Sequence, residues 1–220
     1  FGSAMRSSTL KALLIHTADD IGNPGPDYFF GWGLMNVKKA ADIIANHSAN
    51  PALQQIAEGR LTTTTTSQTY AFNWDGISPL RATVAWTDPA GTAISSHDSR
   101  TARLVNNLNL KLIAPNGTEY SPYVMPFVGT WTVASMSQNA TTGINNTDNV
   151  EQVYVANPAQ SGSWQAVVSY TGGLTNSQQD YGLVLSGLQQ QADEQAPTPN
   201  PMSWASAPAP GADPQTQITM

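Results

Sequence analysis

Leu104-Val105-Asn106-Asn107-Leu108-Asn109-Leu110-Lys111-Leu112-Ile113-Ala114-Pro115-Asn116-Gly117-Thr118-Glu119-Tyr120 is the stretch whose reading decides the fold. Leu108, Leu110 and Leu112 alternate with Asn107, Asn109 and Lys111, the period of a half-buried strand with one apolar and one polar face. Ala114-Pro115-Asn116-Gly117 then breaks the pattern. Proline fixes φ and Asn-Gly tolerates positive φ, so the chain is predicted to reverse into Thr118-Glu119-Tyr120 as a hairpin of an antiparallel sheet.

The same logic recurs on both sides. Upstream, Leu80, Ala82, Val84 and Trp86 share a face before the turn residues Asp88-Pro89-Ala90-Gly91. The threonine-rich run of residues 62–74 is read as an opening strand because β-branched residues favour extended chain. Downstream, Val150 to Ala156 reads as a strand, Trp164, Ala166, Val168 and Tyr170 alternate on the next, and Tyr181, Leu183 and Leu185 supply another. The count is about seven or eight strands, which predicts a mainly β protein, an antiparallel β-sandwich or jelly roll. Residues 121–147 form a connection long enough to point to a functional or metal-ordered loop.

Composition narrows the function classes. Of 220 residues, 40% are hydrophobic and 8% aromatic, enough for a core, while only 11% are charged. A net charge of −6 with nine Lys and Arg argues against nucleic acid, whose phosphates require clustered cations. There is no cysteine, hence no disulfide and no thiolate metal site. No apolar run is long enough for a membrane span, and the opening FGSAMRSSTLK has neither an initiator Met nor a signal peptide's apolar core. Residue 1 is therefore expected to lie inside a longer polypeptide. Sequons at Asn46, Asn116, Asn139 and Asn145 carry little weight in a chain so rich in Asn and Thr.

Before the strands, Leu10, Leu13, Leu14 and Thr17 recur at helical spacing, with Ser7 or Ser8 as the N-cap. A Gly-, Pro- and Asp-rich loop follows (19–27), then Tyr28-Phe29-Phe30-Gly31-Trp32-Gly33 and a second helix from about Asn36 to Asn46. The aromatic group Tyr28, Phe29, Phe30 and Trp32 is read as core packing and not as a ligand platform, with some of it expected to be exposed where the body it packs against lies outside this chain. This run, with Thr17-Ala18 closing one helix and Gly31-Trp32-Gly33-Leu34-Met35-Asn36 opening the next, resembles the end of the subtilisin-like serine protease domain. Residues 80–187 are similar to the β-sandwich that follows that domain in oxidatively stable alkaline proteases, a P-domain-like module. The resemblance implies three parts: residues 1–48 as two helices left over from an α/β catalytic domain, 49–188 as an accessory sandwich, and 189–220 as a disordered Pro- and Ala-rich tail.

It also implies the C-terminal portion of a secreted, extracellular serine endopeptidase, whose partner is the missing N-terminal catalytic domain and, through it, protein substrates. Neither nucleic acid nor a membrane is expected as a partner. The Asp, His and Ser motifs of such a protease are absent. None of His16, His47 or His97 is followed by glycine, and Ser3 stands too close to Lys11 for a nucleophile heading the long helix before it. No catalytic residue is therefore assigned, and the chain alone is expected to be inactive. His97 beside Asp98 is read as a solvated loop. Calcium is the candidate cofactor, because hard cations take six to eight oxygens from such loops. The family's Leu-Val-Asn-Asp-Leu-Asp-Leu stands here with Asn107 and Asn109 at the two Asp positions, which lowers the expected affinity. Asp88, Asp98, Asp148 and Glu151 complete the candidate ligands, with a solvated acidic loop as the competing reading. The alternative function is an autonomous carbohydrate- or protein-binding module presenting Trp74, Trp131 and Trp164.

Overall fold

A computed structural model describes residues 4–95, 97, 101–126 and 131–190. Two helices come first, α1 (Ser7–Thr17) and α2 (Val37–Ala49). The strands described are β1 (Ile56–Thr62), β2 (Ser67–Asn73), β3 (Leu80–Trp86), β4 (Asn107–Ile113), β5 (Glu119–Tyr120), β6 (Tyr123–Val124), β7 (Thr141–Thr142), β8 (Val150–Val155), β9 (Ser163–Thr171) and β10 (Gln178–Ser186), with a short helix α3 (Val133–Met136) between β6 and β7. Eight of them make two four-stranded sheets, in the orders β1-β10-β3-β8 and β2-β9-β4-β5, and β6 with β7 forms a separate ribbon. Every pairing is antiparallel.

The fold class read from the sequence is the one observed, two antiparallel sheets face to face. In the deciding stretch, Leu112 lies opposite Tyr120 and Ile113 opposite Glu119. The Ala114 amide donates to Thr118 O at 2.8 Å and the Gly117 amide to Ala114 O at 2.9 Å. Gly117 sits at φ +86°, where only a residue without Cβ is unstrained. Leu108, Leu110 and Leu112 point into the core with Val84, Trp86, Val153, Trp164, Leu183 and Leu185. That alternation makes the sheets amphipathic, and burial of these side chains drives their stacking.

Strands β3 and β10 are buried on both faces, which a period-two pattern alone does not reveal. Their outer residues Ala85 and Val184 meet Ala12 and Leu13 of α1 and Ala40 of α2 in a second apolar cluster. The close approach requires Gly182, where a methyl group would overlap the Thr9 backbone. Gly59 similarly leaves room for the Tyr181 ring.

Several expectations change. α1 begins at Ser7 with Arg6 in the N-cap position and no side-chain cap, whereas α2 is capped by Asn36, whose Oδ1 accepts from Lys39 N at 2.9 Å. The second helix runs three residues beyond the predicted Asn46, to Ala49. The threonine run is not one strand. Thr62 closes β1, Thr63 to Thr66 make the turn, and β2 resumes in the other sheet, because the Thr62 hydroxyl accepts from the Thr65 amide at 2.9 Å and stabilises a reversal. The strand β1 was hidden by its polar residues Glu58 and Arg60. The connection 121–147 carries β6, α3 and β7. Phe29 and Phe30 are the exposed members of the aromatic group, at 52% and 54%.

Candidate functional site

The loop between α1 and α2 is tied at both ends by backbone pairs, Asp19 with Leu34 and Asp27 with Gly31. Asp27 is buried and organises the tip. Its Oδ1 accepts from the Phe29 and Phe30 amides at 2.8 and 2.6 Å, and its Oδ2 from the Asn23 amide at 3.0 Å. Burial works against ionisation, but those three amides outweigh it and hold the carboxyl below its ordinary range. The consequence is a tip in which Phe29 and Phe30 are presented outward by a fixed backbone. Tyr28 points the other way, stacking edge-on against Trp131 with centroids 5.0 Å apart and donating to Pro126 O. Leu10, Leu34, Met35 and Val37 are exposed on the same N-terminal segment. Large exposed apolar side chains gathered on one segment mark an interaction surface.

Four of the candidate metal ligands, Asn107, Asn109, Asp148 and Glu151, lie on β4, on β8 or just before it, where β8 borders the first sheet and β4 outruns its short partner β5. Glu151 lies on the inner face of β8, and its Oε2 accepts from the Leu110 amide of β4 at 2.6 Å, joining the two sheets where no strand does. Burial pushes its carboxyl up to about 8, against the help of that amide, and the neighbouring charge of Asp148 adds to the rise. Asp148 itself accepts from Asn145 Nδ2 at 2.9 Å. Asn107 donates to Asn146 Oδ1 at 2.7 Å, and Asn109 to the Thr171 hydroxyl at 3.0 Å. Asp88 stands apart, its two oxygens accepting from the Val105 and Asn106 amides at 2.7 and 2.8 Å. Asp98 lies outside the described residues.

Two oxygens of this group, Glu151 Oε1 and Asn107 Oδ1, are buried without a hydrogen-bond partner among the described residues. Unpartnered oxygens of this kind are what an oxygen-seeking cation takes up, and the charge of Asp148 acts on Glu151. Asp88 and Asn109 are engaged elsewhere. Among the described residues, no three His, Asp or Glu side chains gather as a cluster that could hold a metal ion. Backbone carbonyls and water would have to complete the six to eight ligands of calcium.

Sequence reasoning passed over Asn106 and Asn149. Asn106 is wholly buried: its Nδ2 donates to Gln179 Oε1 at 2.8 Å, its Oδ1 accepts from the Thr175 amide at 2.7 Å, and its carbonyl accepts from Trp86 Nε1 at 3.0 Å. Asn149 accepts from Lys11 Nζ at 2.5 Å and donates to Trp86 O at 3.1 Å, linking α1 to β3. His16, fully buried, pairs its Nδ1 with the Thr83 hydroxyl at 2.9 Å. Desolvation, and then the charge of Arg81, lower it to about 3, so it is neutral at physiological pH. Its partner is a hydroxyl and not a carboxylate, so it does not have the setting of a triad histidine.

No protein-family profile matches the chain. In sequence it is 32% identical over 120 residues, 53% of its length, to the serine protease/ABC transporter B family protein tagA of Dictyostelium discoideum. The chain spans 6% of that relative. Over about half its length it is thus a relative of a protein named as a serine protease. Among solved structures, the CspB protease of Clostridium perfringens aligns with 61% of this chain and 26% of its own, at 15% identity and a TM-score of 0.31, too low to carry an argument. Among the described residues, no helix is long and apolar enough to cross a membrane.

Proposed function

We propose that the chain is the C-terminal part of a secreted subtilisin-like serine endopeptidase. In this reading α1 and α2 are the trailing helices of the catalytic domain, and the sandwich is a P-domain-like accessory that stabilises that domain, with substrate presentation as a second role. The observation that carries the reading is the tip held by Asp27, which directs Phe29 and Phe30 outward beside the exposed Leu34, Met35 and Val37. The sandwich core needs none of these residues, because its own apolar faces are already closed. A large apolar surface on an ordered backbone is stabilised by a second body that covers it. The relation to a protein named as a serine protease favours a catalytic domain as that body.

The same reading takes calcium as a structural ion at Glu151 and Asn107, with the charge of Asp148 acting on Glu151, on the strength of the two unpartnered oxygens. The ion would supply a positive charge that keeps Glu151 ionised and would join the two sheets. The alternative binding module loses two of its three platforms, since Trp164 is fully buried and Trp74 is half-buried with its Nε1 donating to Ser78 O at 2.7 Å.

The test replaces Phe29 and Phe30 by Ser in the native polypeptide that contains residues 1–220. The expected result is a thermal half-life of peptidase activity shortened several-fold, with kcat/KM on a small peptide substrate unchanged at low temperature. An unaltered half-life contradicts the docking role.

A further inference from the structure

Beneath the loop that follows α1 lies a partly enclosed cavity of about 130 Å3 on the outer face of β3 and β8, its lining free of the calcium candidates. Its floor is a cross-strand pair in register, Arg81 opposite Tyr154, with the guanidinium carbon 5.0 Å from the ring centroid. Trp32 and Tyr123 form walls, and Asp20 stands at the rim. The enclosure is built by the sequence. Gly25 packs directly on the Tyr123 ring, where a Cβ would collide, and the Gly25 amide donates to Asp20 Oδ2 at 2.9 Å.

The lining is rich in hydrogen-bonding groups that the fold does not use. Arg81 Nη1 donates to His16 O at 2.7 Å, and among the described residues that is the hydrogen bond its guanidinium makes, leaving most of its five N–H groups available. The Tyr123 and Tyr154 hydroxyls have no hydrogen-bond partner among the described residues. The Tyr154 ring supports the guanidinium by a cation–π contact, and a planar guanidinium can meet a carboxylate edge-on. A lone anion would also face Asp20, and a lone cation would face Arg81. Both charges act on the same phenol: Tyr123 is raised by burial and by Asp20, and Arg81 opposes them.

We propose that this cavity binds a small zwitterionic amino acid, its carboxylate on Arg81 and its ammonium toward Asp20, against the aromatic walls. The volume agrees, since an engineered cavity of about 150 Å3 accepts the six heavy atoms of benzene, the number in alanine. The site stands independently of the protease reading, because every group in it belongs to this chain.

The test is an NMR titration of the isotope-labelled chain with L-alanine, acetate and methylammonium, each followed at the Trp32 indole N–H. The expected result is a saturating shift with alanine at a dissociation constant on the order of millimolar. Acetate and methylammonium should each bind at least about tenfold more weakly, the cost of losing one ionic partner. Arg81→Gln and Asp20→Asn should each weaken alanine by a similar factor. Asp20→Asn serves as the fold-preserving variant, since an amide oxygen still accepts from Gly25. A shift that does not saturate means a cavity that holds water alone and overturns the proposal. So does acetate binding as tightly as alanine, or an Asp20→Asn protein that binds alanine unchanged.

Discussion

Asn106, Asn107 and Asn109 are the same residue type within four positions, yet they do three different things. Asn106 precedes the strand and turns inward, where it joins the Gln179 side chain to the loop amide of Thr175. Asn107 keeps one buried oxygen unpartnered, and Asn109 bonds across to Thr171 at the surface. Removing a side chain that satisfies two buried groups costs roughly 3 kcal/mol, whereas a surface amide is worth about 0.5 kcal/mol or less. Asn106→Ala should therefore lower the urea midpoint strongly and Asn109→Ala scarcely at all; equal effects would contradict the hub role. The alternation made the strand legible. It also puts Asn106 on the parity of the leucines, but it cannot name the partners of an inward Asn, which lie some seventy residues away.

At the scale of elements, the hairpin around Asn116-Gly117 was readable because its turn chemistry is local. The strand β1 was not, since its inward and outward residues are set by α1 and β10, which lie far off in sequence. Burial of β3 and β10 on both faces likewise depends on a helix placed over them. Gly182 is the residue that permits that placement. Gly182→Ala should destabilise by about 1 to 3 kcal/mol through overpacking against Thr9. Gly173→Ala, where an added methyl meets nothing within 4 Å, is the matched control and should be near neutral in the same thermal melts. A Gly182→Ala protein as stable as the control would mean that α1 does not rest on β10. The exposure of Phe29 and Phe30 agrees with the expectation that part of the aromatic group packs on a body outside this chain; which members stay uncovered was not legible, because hydrophobicity says that a residue seeks cover and not which residues find it in the same chain.

At the scale of the molecule, two buried titratable groups shape the pH dependence in opposite senses. His16 falls from 6.5 to about 3 on folding, so below pH 6.5 the unfolded chain binds the extra proton and stability declines as pH drops toward 3. Glu151 rises from 4.5 to about 8, so above pH 4.5 the unfolded chain releases a proton that the folded one keeps, and stability declines as pH climbs toward 8. Each contributes up to about 1.4 kcal/mol per pH unit within its window. Between 4.5 and 6.5 the two slopes cancel, and from 6.5 to 8 Glu151 acts alone. Urea titrations without calcium should show a plateau at pH 4.5–6.5 with a fall on either side, and Glu151→Gln should remove the fall above 6.5. A fall that persists in that variant would assign it to other groups.

In the proposed division of labour this chain is the scaffold and the nucleophile sits on the body that covers its apolar tip. The direct test is fluorophosphonate labelling of the native polypeptide that contains residues 1–220, followed by mass spectrometry of its peptides. The expected result is a labelled serine in a segment preceding Phe1 and no label within residues 1–220. A label inside these residues, or none anywhere on the native protein, would contradict it.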